Sequence, residues 1–359
     1  MVMFGLSEDL AKKIADSIMQ VVPYNINVMN SEGIIIASGD MKRMGMLHQG
    51  ALKAIHKNGL LEVYEETMTD KMGVNLPFTH ENEIVGVIGI SGNPEEVRIL
   101  AHVIKVVAEM MIEQQYIINK DMRRKFKFDN FLREWCDTSR EAYSDALKQK
   151  AIDFNVDLES KRVCVVVETD KPQSILMDAI SVYLQKDEYI LKYKESISLI
   201  MHYGNQFITR LQTIRDQFEE VKNIGVGILT NDIFRSMVTA QKSLFFSRKM
   251  GDVDNNKRCI VYFDHYWIHD IVFRYQRTTV FENVLVTLKK YDSSNGILNT
   301  FLAYFNLNGD IAQITAALHI HRNTLLYRIQ KIEELTNRSF KDINDRFFLY
   351  VAYIIYKLH

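Results

Sequence analysis

The sequence predicts a multidomain α+β protein in which two α/β regions precede an all-helical C-terminal region. Three patterns support this division: two hairpin patterns framed by helical ones before residue 120, alternating strands and helices over about 140–278, and helical patterns after residue 280. A chain of 359 residues is long enough for two or three domains. We therefore expect domains at 1–120, 121–280 and 281–359.

Composition and charge exclude several classes of protein. The chain is 47% hydrophobic and 25% charged, which is ordinary for a globular protein, and its net charge of −1 calls for neither nucleic acid nor an anionic membrane as partner of the whole chain. The three cysteines are far apart without metal-ligand spacing, which favours reduced thiols in a cytoplasmic protein. No apolar run reaches about 18 residues, and no signal peptide pattern is present, so no membrane span is expected.

The first domain opens with a helix and a hairpin. Ser7 precedes an apolar stripe at helical spacing, so a helix is expected to begin there. Residues 25–30 alternate as a strand, and the turn at 31–33 leads back into a second strand over 34–37. The N-terminal segment therefore predicts one helix followed by one antiparallel strand pair.

The rest of the first domain repeats this pattern. A helix is expected from about Arg43 to Lys57, a second hairpin from 74–78 and 84–90, and a long helix after Pro94. Helix, hairpin, helix, hairpin and helix is the layout of small α/β sensor domains of the PAS or GAF kind.

Residues 38–48 together with 75–77 permit a site for an anion. The segment 38–40 leads into the predicted helix, whose free N–H groups favour a carboxylate, and the Arg43 guanidinium can bind a carboxylate through two hydrogen bonds. Gly45 permits close approach to the backbone, while His48 and Asn75 offer polar groups. The predicted ligand-binding residues are Ser38, Gly39, Asp40, Arg43, Met44, Gly45, His48, Asn75, Leu76 and Pro77.

The same residues have a structural interpretation. Arg43 on a helix is an ordinary solvated charge, His48 can be a hydrogen-bonded structural histidine, and 38–40 can be a turn with a helix cap. Gly86 and Gly89 inside a strand can serve close packing instead of ligand access. Both interpretations are compatible with the sequence.

The long helix after Pro94 has an apolar repeat of seven residues. Its members are Val97, Ile104, Met111 and Ile118, with Leu100 and Val107 at intervening positions. A repeat of this kind suits a parallel pair of helices in a homodimer. The alternative is that the helix packs on the sheet of its own domain.

The middle region alternates strands and helices. Strands are expected over 161–168, 189–193, 198–203, 224–229 and 258–263. The second and third of these form a hairpin around Lys194-Glu195. This order predicts an α/β domain with one sheet.

Residues 309–335 have the pattern of two short helices joined by a tight turn. Asp310 can cap the first helix, the turn lies at 319–320, and the second helix is expected from His321 to Leu335. Apolar residues recur on one face of each helix, at Ile311, Ile314 and Leu318 and then at Leu325, Ile329 and Ile332. The pattern is typical of a helix-turn-helix that binds DNA.

The outer face of the second helix is basic and rich in hydrogen-bonding groups. In this motif the second helix lies in the major groove, where arginine suits guanine and asparagine suits adenine. Tyr327, Arg328 and Lys331 are better placed for phosphates. The predicted DNA-binding residues are His321, Arg322, Asn323, Thr324, Tyr327, Arg328 and Lys331. A solvated amphipathic helix pair is the alternative, since short helical hairpins are common.

Segments at both ends of the chain resemble one family of bacterial regulators. In the first domain they are Asn25-Ile-Asn-Val-Met29, Ser38-Gly-Asp40, Leu47-His-Gln-Gly-Ala51, Gly73-Val-Asn-Leu-Pro77 and Ile84-Val-Gly-Val-Ile-Gly-Ile90. These resemble the sugar-diacid recognition domain of the carbohydrate diacid regulator (CdaR) family. His319-Ile-His-Arg-Asn-Thr-Leu-Leu-Tyr-Arg-Ile329 is similar to the C-terminal helix-turn-helix of CdaR-like and PucR-like regulators.

The resemblance implies a cytoplasmic transcription regulator that responds to a small hydroxy acid. Glucarate, galactarate and glycerate are the effectors that it suggests, and it favours activation over repression. Such acids present carboxylates and hydroxyls, for which Arg, His, Asn, Ser and backbone amides are suitable partners. The implied partners are promoter DNA, the effector and a second copy of the chain, without a membrane, a metal or a cofactor.

The middle region resembles a degenerate nucleotide-cyclase-like (GGDEF-like) domain. The glycine-rich loop of a diguanylate cyclase would fall at the hairpin, where this chain reads Tyr193-Lys194-Glu195-Ser196. The paired glycines and the metal-binding acidic pattern are missing, so the resemblance implies a catalytically inactive relay or dimerisation domain. The alternative is a signalling protein whose middle domain binds or cyclises a nucleotide.

The sequence contains none of the common motifs of other enzyme classes. The phosphate-binding loop, the dinucleotide-binding glycine pattern, the zinc-protease helix and the nucleophile elbow are all missing from the sequence. We therefore expect no catalytic residues and no enzyme activity. A scaffold that uses the helix-turn-helix for protein contacts is a third hypothesis, and it predicts no salt-dependent DNA binding.

Overall fold

The computed structural model describes residues 6–66, 71–170, 173–251, 258–275, 279–291 and 296–359. The chain forms two compact units, unit 1 over residues 1–127 and unit 2 over residues 128–359. Each unit contains several helices and one five-stranded sheet, and the C-terminal part of unit 2 is helical.

Unit 1 alternates helices and hairpins as the sequence predicts. Its elements are α1 Glu8–Met19, β1 Ile26–Asn30, β2 Ile35–Ser38, a 3-10 turn Met41–Arg43, α2 Gln49–Lys57, β3 Leu61–Val63, β4 Gly73–His80, β5 Glu83–Ser91 and α3 Pro94–Asp137, whose last ten residues belong to unit 2. The Ser7 side chain accepts a hydrogen bond from Leu10 N and caps α1, as expected. The short strand β3 was missing from the prediction.

The sheet of unit 1 is antiparallel with the order β2-β1-β5-β4-β3. Both predicted hairpins are confirmed. The tight turn between β4 and β5 holds Glu81 at φ 49° and Asn82 at φ 67°. Two consecutive residues with positive φ match the twist of the flanking strands.

The two faces of this sheet are covered by different helices. Because side chains alternate along a strand, Ile26, Ile88 and their neighbours face α1 and α3. Met29 and Val87 face α2, where they pack with Ala51 and Ala54. We call these the α1/α3 face and the α2 face.

The helix expected from Arg43 to Lys57 begins later than predicted. α2 begins at Gln49, and the His48 side chain caps it by accepting a hydrogen bond from Ala51 N. Arg43 lies in the preceding 3-10 turn, which Asp40 caps. The guanidinium is therefore not part of the first turn of α2, and that detail of the predicted anion site is wrong.

Pairing with β2 explains the later start of α2. Gly45 N donates to the Ile35 carbonyl at 2.9 Å, and Ile35 N donates to the Met46 carbonyl at 3.0 Å. Backbone groups used in this way are not available for helical hydrogen bonds. Gly45 also has a φ of +76°, which lies outside the right-handed helical region.

The seven-residue repeat of α3 is divided between two environments. Val97 and Ile104 are buried in the core of unit 1 against the α1/α3 face, and Met111 packs against that core. Val107 and Ile118 are exposed. For Val97 and Ile104, packing on the sheet of the same domain is therefore the correct alternative.

Unit 2 begins with a mixed sheet and ends with a group of helices. Its elements after α3 are α4 Asp145–Asp153, β6 Val163–Thr169, α5 Gln173–Ser181, β7 Tyr189–Tyr193, β8 Ser196–Met201, α6 Phe207–Gln217, β9 Val221–Val226, α7 Ile233–Met250, β10 Ile260–Tyr262, α8 Trp267–Tyr275, α9 Thr279–Tyr291, α10 Gly296–Asn306, α11 Ile311–Leu318, α12 Arg322–Thr336 and α13 Ile343–Leu358. The order of its strands is β10-β9-β6-β8-β7. The five predicted strands and the hairpin at Lys194 are confirmed within a few residues.

The sheet region and the C-terminal helices share one core. Phe246 of α7 and Val261 of β10 belong to the same apolar cluster as Leu288, Phe301 and Ile354. This shared core makes residues 128–359 one compact unit. The predicted boundary between the domains 121–280 and 281–359 therefore stays a prediction.

The thiols of unit 2 are reduced and mostly buried, as predicted. Cys136 and Cys164 are buried and Cys259 is half-buried, and none of these three described residues forms a disulfide bond. Burial raises the pKa of the Cys164 thiol to about 12. Such a thiol is a weak nucleophile at neutral pH.

A buried ion pair stabilises the sheet of unit 2. Arg210 on α6 contacts both oxygens of Glu188, at 2.5 and 2.9 Å, and Glu188 also accepts from the backbone N–H groups of Gln185 and His202. The two side chains are 12% and 0% exposed. Burial raises the pKa of the Glu188 carboxyl, but the hydrogen bonds from Arg210 and the two amides outweigh it and hold the pKa below its usual value.

Glu188→Gln should lower the free energy of unfolding of unit 2 by about 3 kcal/mol at pH 7, because it leaves the Arg210 charge buried without its partner. The loss should shrink below about pH 4, because the carboxylate contributes stability only above its lowered folded pKa. Urea unfolding followed by tryptophan fluorescence measures this, since both Trp135 and Trp267 lie in unit 2. Asp216→Asn, which disrupts the exposed pair with Arg215, is the control and should change little. Equal effects of the two substitutions would contradict the assignment.

Candidate ligand site and DNA-binding helices

A row of polar residues crosses the α2 face of the unit 1 sheet. Asn27 is paired with Ser38 on one side and with Gly89 on the other, and Gly89 is paired with Asn75. Asn27 and Asn75 are 2% and 4% exposed. Four adjacent strands therefore contribute a buried polar row with a glycine between the two amides.

Gly89 keeps the space between the two asparagines open. A Cβ atom at this position would lie 3.0 Å from Asn75 Oδ1, 3.3 Å from Met29 Cε and 3.7 Å from Asn27 Cβ. A larger side chain would push the Asn75 amide aside. Gly86 differs, since a Cβ there would lie 2.5 Å from both the Met29 carbonyl oxygen and the Phe78 ring, so Gly86 serves packing.

Ser38 connects this row to the following turn. Its hydroxyl donates to Asn27 Oδ1 at 2.6 Å and accepts from Asp40 N at 3.0 Å. The Asp40 carboxylate accepts from Lys42 N at 3.1 Å, and a Cβ on Gly39 would meet Asn25 Oδ1 at 2.4 Å. The segment 38–40 is therefore a turn and a cap, and Ser38 also belongs to the polar row.

Two polar atoms among the predicted ligand residues are buried without a hydrogen-bond partner in the described part of the chain. They are Asn75 Oδ1 and Arg43 Nη1. Buried polar atoms in proteins are almost always paired with protein, water or ligand. An amide oxygen accepts a hydrogen bond from a hydroxyl and a guanidinium binds a carboxylate, and these are the two groups of a hydroxy acid.

The other predicted ligand residues differ in their placement. His48 is buried and its Nδ1 is occupied as the cap of α2, while Pro77 lies on the α2 face with Asn75. The Leu76 side chain points to the opposite face and packs in the α1/α3 core, so only its backbone remains near the row. Met44 is exposed, and a Cβ on Gly45 would meet no atom within 4 Å.

Sequence analysis missed the central residue of the row. Asn27 alternates with Ile26 and Val28 in β1, so its polarity suggests a solvent-facing position, yet it is buried under the α2 side of the sheet. The signal was the repeated asparagine at 25 and 27, since consecutive polar residues on one face of a central strand are unusual in a core.

The predicted helix-turn-helix is formed by α11 and α12. Asp310 caps α11 by accepting from Ala312 N and Gln313 N, at 2.9 and 3.0 Å. His321 caps α12 through Asn323 N at 3.2 Å. His319 ends α11 in the left-handed region, at φ 51°, and the fully buried Ile314 and Leu325 join the two helices to α10.

The outward side chains of α12 are concentrated in its first two turns. Arg322, Asn323 and Thr324 are exposed at the N-terminal end, and Tyr327 is 62% exposed one turn later. These side chains project from the end of α12 that reads bases in helix-turn-helix proteins.

Two of the predicted phosphate contacts have partners within unit 2. Arg328 is half-buried, and its Nη1 donates to the Gly296 carbonyl at 3.3 Å because the start of α10 lies beside α12. Lys331 Nζ pairs with Glu334 at 3.0 Å and lies over the Tyr291 ring. Arg328 thus has a structural role that the sequence did not indicate.

Two family models match the chain at its opposite ends. The model for sugar diacid recognition matches residues 6–135, and the model for the PucR C-terminal helix-turn-helix domain matches residues 297–355. The carbohydrate diacid regulator of Escherichia coli strain K12 is 29% identical, over 97% of each chain. The chain therefore carries a sugar diacid recognition region at one end and a PucR-type helix-turn-helix at the other. The resemblance of the two end segments that was noted from the sequence is thereby confirmed.

Another relative and a solved structure extend the comparison. A protein of Haemophilus influenzae described as uncharacterised is 27% identical over 98% of this chain and 99% of its own length. A regulator of polyketide synthase expression from Bifidobacterium adolescentis covers 59% of this chain and 90% of its own, at 15% identity and a TM-score of 0.29.

The described ranges lack both a membrane span and a metal cluster. None of the helices there is long and apolar enough to cross a membrane. No group of three or more His, Cys, Asp or Glu side chains that could hold a metal ion occurs in those ranges.

Arg328→Ala should lower the free energy of unfolding of unit 2 by about 1 kcal/mol, because the hydrogen bond to the Gly296 carbonyl is lost. Arg322→Ala is the matched control, since Arg322 is exposed on the same helix. Thermal or urea unfolding followed by tryptophan fluorescence compares the two variants. If both arginines prove equally neutral, the structural role given to Arg328 is wrong.

Proposed function

We propose that the chain is a transcription regulator whose unit 1 binds a small hydroxy acid, such as glucarate, galactarate or glycerate, and whose α11 and α12 bind promoter DNA. The observation that carries the proposal is the buried polar row of Asn27, Gly89 and Asn75 in the region matched by the sugar diacid recognition model. The name of the Escherichia coli relative, carbohydrate diacid regulator, supports the same class of effector.

The chemistry of the proposed site suits a hydroxy acid. The Asn75 amide oxygen accepts a hydrogen bond from a ligand hydroxyl, and Arg43 binds a carboxylate through its guanidinium. The cost of leaving these two atoms buried and unpaired is removed when such a ligand binds. His48, Ser38 and Pro77 border the same face, and Asp40 meets hydroxyls or orients Arg43 instead of touching a carboxylate.

The fold of unit 1 agrees with a sensor of the PAS or GAF kind. A five-stranded antiparallel sheet has helices on both faces, and the polar row lies on one face only. On the opposite face, α1 and α3 cover a large apolar core. A ligand on the α2 face therefore contacts the sheet without disturbing the main core.

On the DNA side, we assign Arg322, Asn323 and Thr324 to base edges and Tyr327 to a phosphate. His321 positions the helix by capping it, and Lys331 supports phosphate binding from the following turn. Two such helices in a dimer would contact two half-sites one turn of DNA apart. A regulator that binds promoter DNA acts in the cytoplasm, and the family resemblance favours activation.

We infer that the middle region is a degenerate, GGDEF-like relay domain without enzyme activity. The hairpin at Lys194-Glu195 borders a cavity of about 540 Å³ that also contains the end of β6. Two of the three carboxylates that line it, Glu168 and Asp170, are paired with Arg248 and Lys222, respectively. Carboxylates neutralised by neighbouring cations are poor ligands for a nucleotide-bound magnesium ion.

A thermal-shift screen with glucarate, galactarate, glycerate and neutral sugars tests the proposed effector class. One acid at about 100 times its dissociation constant should raise the melting temperature of unit 1 by roughly 5–10 °C, because it binds only the folded state. Arg43→Ala should remove the rise, whereas Lys42→Ala, which removes the exposed neighbouring charge, should retain it.

Three outcomes of this screen would count against the proposal. If none of the acids raises the melting temperature, the proposed effector class is wrong. A rise that survives in Arg43→Ala would contradict the location of the site, and a rise lost equally in Lys42→Ala would show a nonspecific charge effect.

A further inference from the structure

The helix α3 has two apolar faces. One is buried in the core of unit 1 and consists of Val97, Ala101, Ile104, Ala108 and Ile112. The second consists of Ile99, Val103, Val106, Met110 and Ile117, which are 76%, 55%, 54%, 67% and 50% exposed. We call this second set the outer stripe.

The outer stripe lies opposite the buried face. At about 100° per residue, its five members fall within an arc of about 60°, and the buried set is centred about 180° away. The steps of four, three and four residues from Ile99 to Met110 are those of a heptad seam, and Ile117 follows one heptad after Met110. Val107 and Ile118, at 40% and 44% exposure, widen the stripe on one side.

The carboxylates beside the stripe are directed to the sheet of their own domain. Glu109 accepts hydrogen bonds from Thr79 N and Thr79 Oγ1, at 2.8 and 3.0 Å. Glu113 lies 3.2 Å from His80 Nδ1. Both charges on this flank are therefore engaged at the end of β4. Glu113 occupies the seam position between Met110 and Ile117, so the uninterrupted apolar part of the stripe runs from Ile99 to Met110.

We propose that the outer stripe pairs in parallel with the outer stripe of a second copy of this chain. This inference deepens the proposed function, which requires two helix-turn-helix units on two half-sites. A contiguous exposed apolar patch of this kind marks an interaction surface. In a parallel pair each stripe residue meets its own counterpart, so the surface is complementary to itself.

Residue types and flanking charges favour a second copy as the occupant. Val103 and Val106 are β-branched seam residues of the kind that parallel two-stranded coiled coils use. Parallel pairing of the segment from Ile99 to Met110 places Glu109 near Gln114 of the partner subunit and His102 near the partner's Val107, so no like charges meet within that segment. A membrane surface is disfavoured, because it would require lysines and arginines beside the stripe.

Val106→Glu in the full-length chain tests the proposal. The wild-type chain should sediment as a dimer of the 41.8 kDa subunit. The substitution should raise the dimer dissociation constant by about 100-fold or more, because it places two carboxylates face to face in an apolar seam. Val21→Glu is the matched control, since Val21 is 84% exposed in unit 1 outside α3, and this variant should remain dimeric. Circular dichroism should be unchanged in both variants, which shows that each still folds.

Val106→Cys supplies a second readout that does not depend on loss of binding. Under mild oxidation it should give a covalent dimer in high yield, because parallel pairing brings the two introduced thiols together, whereas Val21→Cys should not. A monomeric wild-type chain at about 100 μM, an unaltered Val106→Glu dimer, or equal crosslinking at positions 21 and 106 would overturn the proposal. If the stripe fails these tests while an acid still raises the melting temperature, the pairing is wrong and the proposed effector binding stands.

Discussion

The alternation of side chains in the unit 1 sheet is the constraint on which the rest depends. Odd and even residues of a strand face opposite sides, so burying Ile26 and Ile88 against α1 and α3 necessarily directs Asn27 and Gly89 to the α2 face. One face supplies the stability, and the other can hold polar groups that a core would exclude. Covering the first face also fixes the rotation of α3, which leaves its outer stripe on the opposite side.

Most of the fold follows from local patterns in the sequence. The hairpins of unit 1, the five strands of unit 2 and the two helices of the DNA-binding motif depend on alternation, turn residues and caps within about ten residues. The start of α2 could not be predicted this way, since it depends on pairing of Gly45 and Met46 with Ile35. Likewise, the repeat through Val97 and Ile104 does not reveal which face of α3 the sheet covers.

The candidate site is less predictable because distant residues decide its side-chain environments. Asn75 and Ser38 could be proposed from residue type and from the family resemblance, yet their alignment with Asn27 requires the register of four strands. Arg328 looks like a phosphate contact in the helical pattern. Its bond to the Gly296 carbonyl, 32 residues earlier, emerges only when α10 and α12 pack together.

The proposed function of a ligand-responsive regulator requires that an acid bound in unit 1 changes the affinity of α11 and α12 for DNA. The most direct measurement is the affinity of the full-length chain for a duplex selected in vitro with that chain, with and without the stabilising acid, together with the affinity for the acid with and without the duplex. The acid should change the affinity for the duplex by roughly 5–150-fold. The duplex should change the affinity for the acid by the same factor, because coupling between two sites is reciprocal. A DNA affinity unchanged by saturating acid would contradict it.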